Sequence, residues 1–182
     1  MIPPIDYATF ATKLIGKPHV QWPQLFDKQI VPKWCTGYRQ STTAAPQIVA
    51  VTLDGFANLF DIDSQRLIGV FGLSQGKHTG ARDSSRMAGH PQSAGSDYHR
   101  GHAIAHTLGG GTDINLFSQR GKLNIGEFRR LERAAVADPN ALYFVRLAYN
   151  KSNTGQLPDW IEQGLFPSGN PLGLQVPPPF KN

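Results

Sequence analysis

The sequence predicts an α+β fold in which a mostly antiparallel sheet packs with one long helix. Residues 47–63, QIVAVTLDGFANLFDID, place two β-prone runs on either side of Asp54 and Gly55, a pair favoured in two-residue hairpin turns. Residues 124–138 have the apolar periodicity of a helix, and residues 141–149, ALYFVRLAY, return to strand composition. The chain length of 182 residues suits one domain around one core.

The first 46 residues differ from the sheet-forming region that follows. They are interrupted by prolines and carry the aromatic residues Trp22, Phe26 and Trp34. We predict an irregular N-terminal cap of the same domain over residues 1–46, with one short helix at most. The single cysteine, Cys35, can form neither an internal disulfide nor a cysteine-rich zinc site.

The main part of the domain is predicted to run from residue 47 to residue 182. RLIGVFGL at 66–73 gives a third strand, and residues 74–98 form a loop of a length that is usually functional or disordered. The Pro-rich C-terminal tail should lie extended on the surface or fray. Four short pieces are expected between loop and helix: a strand ending near His102, a helical turn over 103–108, a glycine break at 109–111 and an extended run over 113–117.

The charge balance favours a polyanionic partner without requiring one. Lys and Arg total 18 against 13 acidic residues, which gives a formal net charge of +5. Neutralised phosphates release counterions, so this sign suits nucleic acid, although many soluble domains carry a similar charge.

No targeting or membrane segment is predicted. The N-terminus lacks a basic region followed by an apolar one, so we expect no Sec signal peptide. No apolar run approaches the roughly 20 residues of a membrane span. We therefore expect a soluble protein, whose secretion or delivery as an effector would need another route or a longer parent chain.

The predicted helix carries two polar residues on its apolar side. The apolar stripe consists of Phe128, Leu131 and Ala135, with Ile125 at its edge. The opposite, solvated side consists of Arg129, Arg130 and Arg133. Asn124 and Glu132 intrude on the stripe, where an unpartnered polar group costs about 1–3 kcal/mol. In one interpretation Asn124 is an N-cap and Glu132 pairs with a buried arginine; in the other, both face a hydrated cation.

The segment DYHRGHAIAHTLGG contains three of the six histidines. If residues 97–102 are extended, Tyr98, Arg100 and His102 share one side of the strand. A cation beside an imidazole disfavours its protonation, which keeps His102 available as a general base near neutral pH. His102 and His106 are also four residues apart and could ligate a metal from one helical face. No carboxylate or cysteine stands beside them at a zinc-like spacing, and helix packing is the commoner role for His106.

Three blocks in order, RGHAIAHTLGG, NLFSQ and NIGEFRRLE, resemble the DNA/RNA non-specific endonucleases, a branch of the ββα-metal (His-Me finger) nucleases. The match covers roughly residues 97–133, with looser agreement of strands over 66–150. The resemblance implies a ββα-metal core whose long helix carries the metal ligand, within a nuclease domain at 47–182. Residues 1–46 and the last 30 contribute nothing to it.

The resemblance also implies a role for each matching residue. His102 becomes the water-activating base, and Asn124 the single direct protein ligand of a hydrated Mg²⁺, for which Mn²⁺ can substitute. Glu132 holds one of the metal's waters, Arg100 supports the site, and Asn115 orients His102 or the core around it. An upstream arginine that contacts phosphate is either Arg82 or Arg86; the Gly-x-Arg context slightly favours Arg82.

Two positions depart from the family pattern. His99 stands where the family has Asp, so the partner of Arg100 is open, and Asp97 is one substitute. Ser118 replaces the usual proline of the second block, which loosens a turn without touching a reacting atom.

We therefore expect a Mg²⁺-dependent endonuclease with little sequence preference, which hydrolyses DNA, RNA or both to 5′-phosphorylated fragments. By analogy, a chain of this kind could serve as a bacterial toxin or effector domain that needs an immunity protein. The alternatives are a catalytically silent nucleic-acid-binding module and a structural zinc domain built on His102 and His106.

Overall fold

The computed structural model describes residues 4–81 and 90–182, apart from the side chains of Asn124, Ile125 and Glu127. Its centre is an antiparallel sheet of six strands: β1 (Ile48–Leu53), β2 (Phe56–Asp61), β3 (Arg66–Leu73), β6 (Leu142–Ala148), β7 (Trp160–Phe166) and β8 (Phe180–Lys181). Across the sheet the strands follow the order β1-β2-β3-β6-β7-β8. This architecture confirms the predicted α+β class with a mostly antiparallel sheet.

The predicted hairpin and third strand are confirmed almost residue for residue. Leu53 pairs with Phe56 across the turn, and both turn residues, Asp54 (φ 51°) and Gly55 (φ 84°), have left-handed backbone angles. This conformation is the one that Asp-Gly turns favour, because Asp tolerates and Gly freely adopts a positive φ.

The predicted irregular cap is wrong, because the N-terminal segment forms three helices. They are α1 (Tyr7–Leu14), α2 (Trp22–Gln29) and α3 (Val31–Ser41), with a 3₁₀ turn at His19–Gln21. Pro23 and Pro32 stand in the first turns of α2 and α3, where the missing N–H costs nothing. The prolines that suggested irregular chain therefore start helices, and Asp6 caps α1 by accepting a hydrogen bond from the Thr9 amide at 2.9 Å.

These three helices cover one face of the sheet through a cluster of aromatic rings. Trp34 and Phe26 lie 5.2 Å apart between ring centroids, and their distances to Phe144 of β6 are 5.8 and 5.4 Å. Gly69 of β3 makes this approach possible, because a Cβ there would lie 2.5 Å from the Trp34 ring.

The opposite face of the sheet is covered by α5 (Glu127–Ala137), which packs on β7. Its predicted apolar stripe is confirmed: Phe128, Leu131 and Ala135 are fully buried. The predicted single helix over 124–138 is, however, two helices. Gly126, at φ −99° and ψ −116°, separates α5 from the short α4 (Gly121–Ile125).

The segment before α4 contains a second, two-stranded sheet made of β4 (Tyr98–His102) and β5 (Leu116–Arg120). The helical turn predicted over 103–108 is shorter in the structure, where a 3₁₀ turn covers His106–Leu108. The run predicted to be extended over 113–117 begins with a second 3₁₀ turn, at Asp113–Asn115.

The C-terminal tail is held in place and does not fray. After a 3₁₀ turn at Pro171–Gly173, Gln175 bridges to Leu165, and β8 pairs with β7. Phe180 and Asn182 are buried. Among the described residues, no helix combines the length and apolar character needed to cross a membrane.

Candidate active site

The candidate site is built on a strand–strand–helix unit formed by β4, β5 and α4. The two strands are antiparallel, with Arg100 opposite Ser118 and His102 opposite Leu116. Because β5 ends at Arg120 and α4 begins at Gly121, the helix follows the hairpin without a linker.

His102 ends β4 and is buried, with 9% of its surface exposed. Its neighbour in the chain, Ala103, donates its amide hydrogen to the Asn115 carbonyl at 2.9 Å. The imidazole is therefore attached to a backbone that is fixed on both sides, by β-pairing before it and by this bond after it. Such fixation suits a group that must meet a reacting atom in one geometry.

Asn115 holds the chain just beyond His102. Its Oδ1 accepts from the Ile104 amide at 2.9 Å, and its Nδ2 donates to the carbonyls of Ile104 at 3.0 Å and Gly111 at 2.7 Å. Gly110 allows this approach, since a Cβ there would lie 1.8 Å from the Ile104 carbonyl oxygen. Asn115 thus contacts the backbone two residues after His102, and its orienting role stays a prediction.

Arg100 lies half-buried on β4, two residues before His102. Its Nε donates to the Pro91 carbonyl at 2.9 Å. Burial, and secondarily the charge of Arg100, lowers the pKa of His90. Within the described residues no ion pair joins Arg100 to Asp97, so the substitute partner suggested from the sequence is not found. The segment at residues 90–91 holds the arginine instead.

Glu132 is half-buried on α5. Burial raises the pKa of its carboxyl from 4.5 to about 7, and the charge of Arg129 partly opposes that shift. On the sheet below, the Tyr143 hydroxyl donates to Gln163 Oε1 at 3.0 Å, and the pKa of Tyr143 is raised by burial and then by Glu132. No ion pair joins Glu132 to an arginine within the described residues, and Arg82 and Arg86 lie outside them.

Three predicted site residues are described only in part or not at all. Asn124 lies on α4, directly after the hairpin, but its side chain is outside the described part of the structure. Arg82 and Arg86 both lie in the segment 82–89, outside the described residues. The choice between the two arginines therefore stays open.

The helical zinc arrangement of His102 and His106 is not found. His102 belongs to a strand and His106 to a 3₁₀ turn, and their ring centroids are 6.5 Å apart. His78 packs edge-on against His106 at 5.3 Å. Within residues 4–81 and 90–182, no group of three or more His, Cys, Asp or Glu residues is arranged to hold a metal ion.

Two residues of the site region received no role from the sequence. Gln119 is fully buried against the Gly101 backbone, and within the described part of the chain neither polar atom of its side chain has a hydrogen-bond partner. Its place in the NLFSQ block was a visible signal.

Asn182 is the second residue without a predicted role, and no local pattern indicated one. Its side chain occupies the edge of β5 that does not face β4. Oδ1 accepts from the Arg120 amide at 2.9 Å, while Nδ2 donates to the carbonyls of Ser118 at 2.8 Å and Pro158 at 3.0 Å. The C-terminal residue thus joins the hairpin of the site to the segment that leads into β7.

Comparison with known proteins agrees with this geometry. The sequence model of the DNA/RNA non-specific endonucleases matches residues 65–162, which is more than half of the chain and includes β3 to β6 and the start of β7. No curated protein shows significant similarity to the chain. The chain therefore belongs to the DNA/RNA non-specific endonuclease family, whose members are nucleases that act on nucleic acid.

Proposed function

We propose that this nuclease hydrolyses DNA and RNA backbones with His102 as the general base and with a Mg²⁺ ion held by Asn124. The observation that carries the proposal is the placement of His102: it is buried at the end of β4, in a hairpin followed at once by the helix that bears Asn124. A fixed imidazole beside a helix with an oxygen ligand supports base-assisted hydrolysis.

The donor set fits a hard divalent cation. An amide oxygen from Asn124 would bind the ion directly, and the carboxylate of Glu132 would hold one of its water ligands; Mg²⁺ and Mn²⁺ prefer such oxygen donors. Glu132 is half-buried with its pKa raised to about 7, so a cation nearby would restore its ionised form. When bound, the ion neutralises the charge that builds on the leaving 3′ oxygen.

In the proposed reaction, a water oxygen attacks the scissile phosphorus while the imidazole of His102 takes the water's proton. The bond between phosphorus and the 3′ oxygen breaks, and the 3′ oxygen leaves with the electron pair and takes up a proton from solvent water, which gives a 5′-phosphate and a 3′-hydroxyl. The guanidinium of Arg100, held by the Pro91 carbonyl, adds positive charge near the phosphate. Arg82 or Arg86 would supply a second such contact.

The decisive experiment incubates the protein with plasmid DNA and with total RNA, in Mg²⁺ or in EDTA. We expect digestion that EDTA abolishes and that falls steeply with added salt. His102→Ala should lower kcat by about 10²–10⁴-fold, with the thermal unfolding midpoint nearly unchanged. Undiminished activity in His102→Ala would contradict the assignment of the base. No digestion of either substrate would favour a silent binding module.

A role as a toxin domain with an immunity partner has a separate test. Expression of the wild-type chain inside a bacterial host should arrest growth, whereas His102→Ala should not. Equal growth of the two strains, with the active nuclease detected in lysate, would contradict the toxin role and leave the nuclease assignment intact.

A further inference from the structure

The outer face of α5 presents three arginines to solvent. Arg129, Arg130 and Arg133 are all exposed, and α5 covers 11 residues. Residues three and four apart lie on one side of a helix, so the three side chains form one ridge. Arg129 and Arg133 are separated by about 6 Å along the helix axis. Two base steps of a duplex span a similar distance, about 7 Å for each strand.

Within the described residues, the arginine ridge forms no salt bridge. In the described part of the chain, none of the three guanidinium groups forms an ion pair or a hydrogen bond. Asp138, just beyond the helix, accepts hydrogen bonds from the amide and the hydroxyl of Ser168. Arg129 also interacts electrostatically with Glu132, which places this end of the ridge beside the candidate site.

The protein offers little for stacking unpaired bases. It has 10 Phe, 5 Tyr and 3 Trp residues, all of them described, and none is exposed. Phe60, Tyr98 and Trp160 are half-buried, and Phe60 already packs on His90. Proteins that bind single strands combine a basic groove with exposed aromatic rings. Here the charge is present without the rings.

We propose that the arginine ridge of α5 binds backbone phosphates of a double-stranded nucleic acid beside the cleavage site, so that the enzyme prefers duplexes to single strands. This inference rests on the proposed function in one respect: the proposed function defines the cleavage site beside which the ridge lies. A duplex carries one negative charge per 1.7 Å of its axis, about twice the density of one strand, in a fixed arrangement. Three positive charges on one helix therefore gain more from a duplex than from a single strand.

The test measures binding by fluorescence anisotropy in EDTA, with a labelled 20-base-pair DNA duplex, an RNA duplex and a single strand of the same sequence. The triple variant Arg129→Gln/Arg130→Gln/Arg133→Gln removes the whole ridge. The double variant Arg130→Gln/Arg133→Gln keeps Arg129, which interacts with Glu132. The matched control, Lys13→Gln/Lys28→Gln/Arg39→Gln, removes three exposed charges from α1, α2 and α3 on the other face of the sheet.

For the wild type we expect at least tenfold tighter binding of the DNA duplex than of the single strand. The slope of log affinity against log salt should fall by about 2–3 in the triple variant and by about 2 in the double variant, since each lost contact removes about 0.9. The control should change the duplex affinity by less than about twofold. Tight binding of the RNA duplex as well would extend the substrate to both kinds of duplex.

Equal wild-type affinity for duplex and single strand would overturn the preference. A triple variant that binds the duplex like the wild type, or no more weakly than the control variant, would contradict the assignment of the arginine ridge as the binding surface. The digestion assay with Mg²⁺ runs beside these measurements. If the triple variant binds the duplex as tightly as the wild type while the wild type digests nucleic acid, only this inference is refuted. If the triple variant binds the duplex more weakly but the wild type never cleaves, only the proposed function is refuted.

Discussion

At the scale of single residues, the site places two ionisable groups in different surroundings. His102 is buried at a strand end whose backbone is fixed on both sides. Glu132 is half-buried on a helix above the Tyr143 hydroxyl, and burial raises its pKa to about 7. A carboxylate kept in such a place lowers stability, which is a common feature of functional residues.

The raised pKa of Glu132 predicts a pH-dependent loss of stability in the metal-free protein. The folded-state pKa of about 7 exceeds the ordinary carboxyl value of 4.5. The folded protein is therefore most stable below pH 4.5, and its unfolding free energy falls as the pH rises from 4.5 to 7. In EDTA, Glu132→Gln should exceed the wild type in unfolding free energy by about 2 kcal/mol at pH 8, allowing for partial exposure, and by much less at pH 4.5.

Chemical denaturation at the two pH values measures this difference. Saturating Mg²⁺ should reduce the difference in unfolding free energy between Glu132→Gln and the wild type at pH 8, because the ion stabilises only the folded wild-type site. A gap that is the same at pH 4.5 and pH 8 would show that Glu132 is not titrating in this range.

Asn115 is the second residue for which a substitution has a clear expectation. Asn115→Ala removes three hydrogen bonds and leaves the amide and the carbonyl of Ile104 without that partner in a buried segment. We expect a loss of about 2–4 kcal/mol in unfolding free energy and a lower kcat, because the chain after His102 is released. Asn170→Ala serves as the control: that side chain is exposed and accepts a single bond, from the Leu172 amide. Equal losses in the two variants would contradict the role of Asn115.

At the scale of elements, the β4–β5 hairpin depends on contacts from the far end of the chain. Asn182 bonds the free edge of β5 at Ser118 and Arg120, 64 and 62 residues away in sequence. Those bonds complete the pairing of a strand that otherwise has a partner on one side only. Because Asn182 also donates a hydrogen bond to the Pro158 carbonyl, it links the β4–β5 hairpin to the segment just before β7.

Asn182→Ala should lower kcat more than it raises KM. The substitution leaves β4–β5 pairing intact but frees the outer edge of β5, and a displacement of about 1 Å at a reacting group can cost up to about 10²-fold. Lys181→Ala, which removes an exposed side chain from the preceding position, is the matched control. Steady-state kinetics on plasmid DNA give both constants. A rise in KM alone, or the same effect in the control, would argue against a positioning role.

Elements also differ in how far the sequence could predict them. The β1–β2 hairpin and β3 were predictable because turn chemistry and alternation act between neighbouring residues. Strand β7 was missed because it carries Glu162 and Gln163 in a buried stretch. Glu162 pairs with Arg146 at 3.4 Å and accepts from Tyr7 at 2.8 Å, while Gln163 accepts from Tyr143. Those partners lie on other elements, where local patterns carry no information.

At the scale of the whole molecule, one sheet separates two layers with different roles. The N-terminal helices pack on the face that carries Phe144, and α5 packs on the face that carries its neighbour Tyr143, since successive side chains of a strand point to opposite faces. The candidate site belongs to the α5 side, and the helical layer stabilises the sheet from behind.

Gly69→Ala tests the coupling of these layers. The added Cβ would lie 2.5 Å from the Trp34 ring and 2.9 Å from the Val145 carbonyl oxygen, so backbone must move as well as side chain. We expect a loss of about 1–3 kcal/mol, or roughly 3–10 °C in the unfolding midpoint. Gly169→Ala is the control, because a Cβ there meets nothing within 4 Å. An unchanged midpoint for Gly69→Ala would contradict the tight packing of Trp34 on the sheet.

Features that depend on near neighbours could be predicted from the sequence: the hairpin at Asp54 and Gly55, the stripe of Phe128, Leu131 and Ala135, and the ordered blocks that indicate the family. Contacts between distant residues became visible only in the folded molecule. Asn182 reaches β5, Gly69 admits Trp34, and the sheet under α5 buries Glu132 enough to raise its pKa. The reason is physical: turn and helix preferences arise within a few residues, whereas burial and long-range hydrogen bonds exist only after the layers have packed.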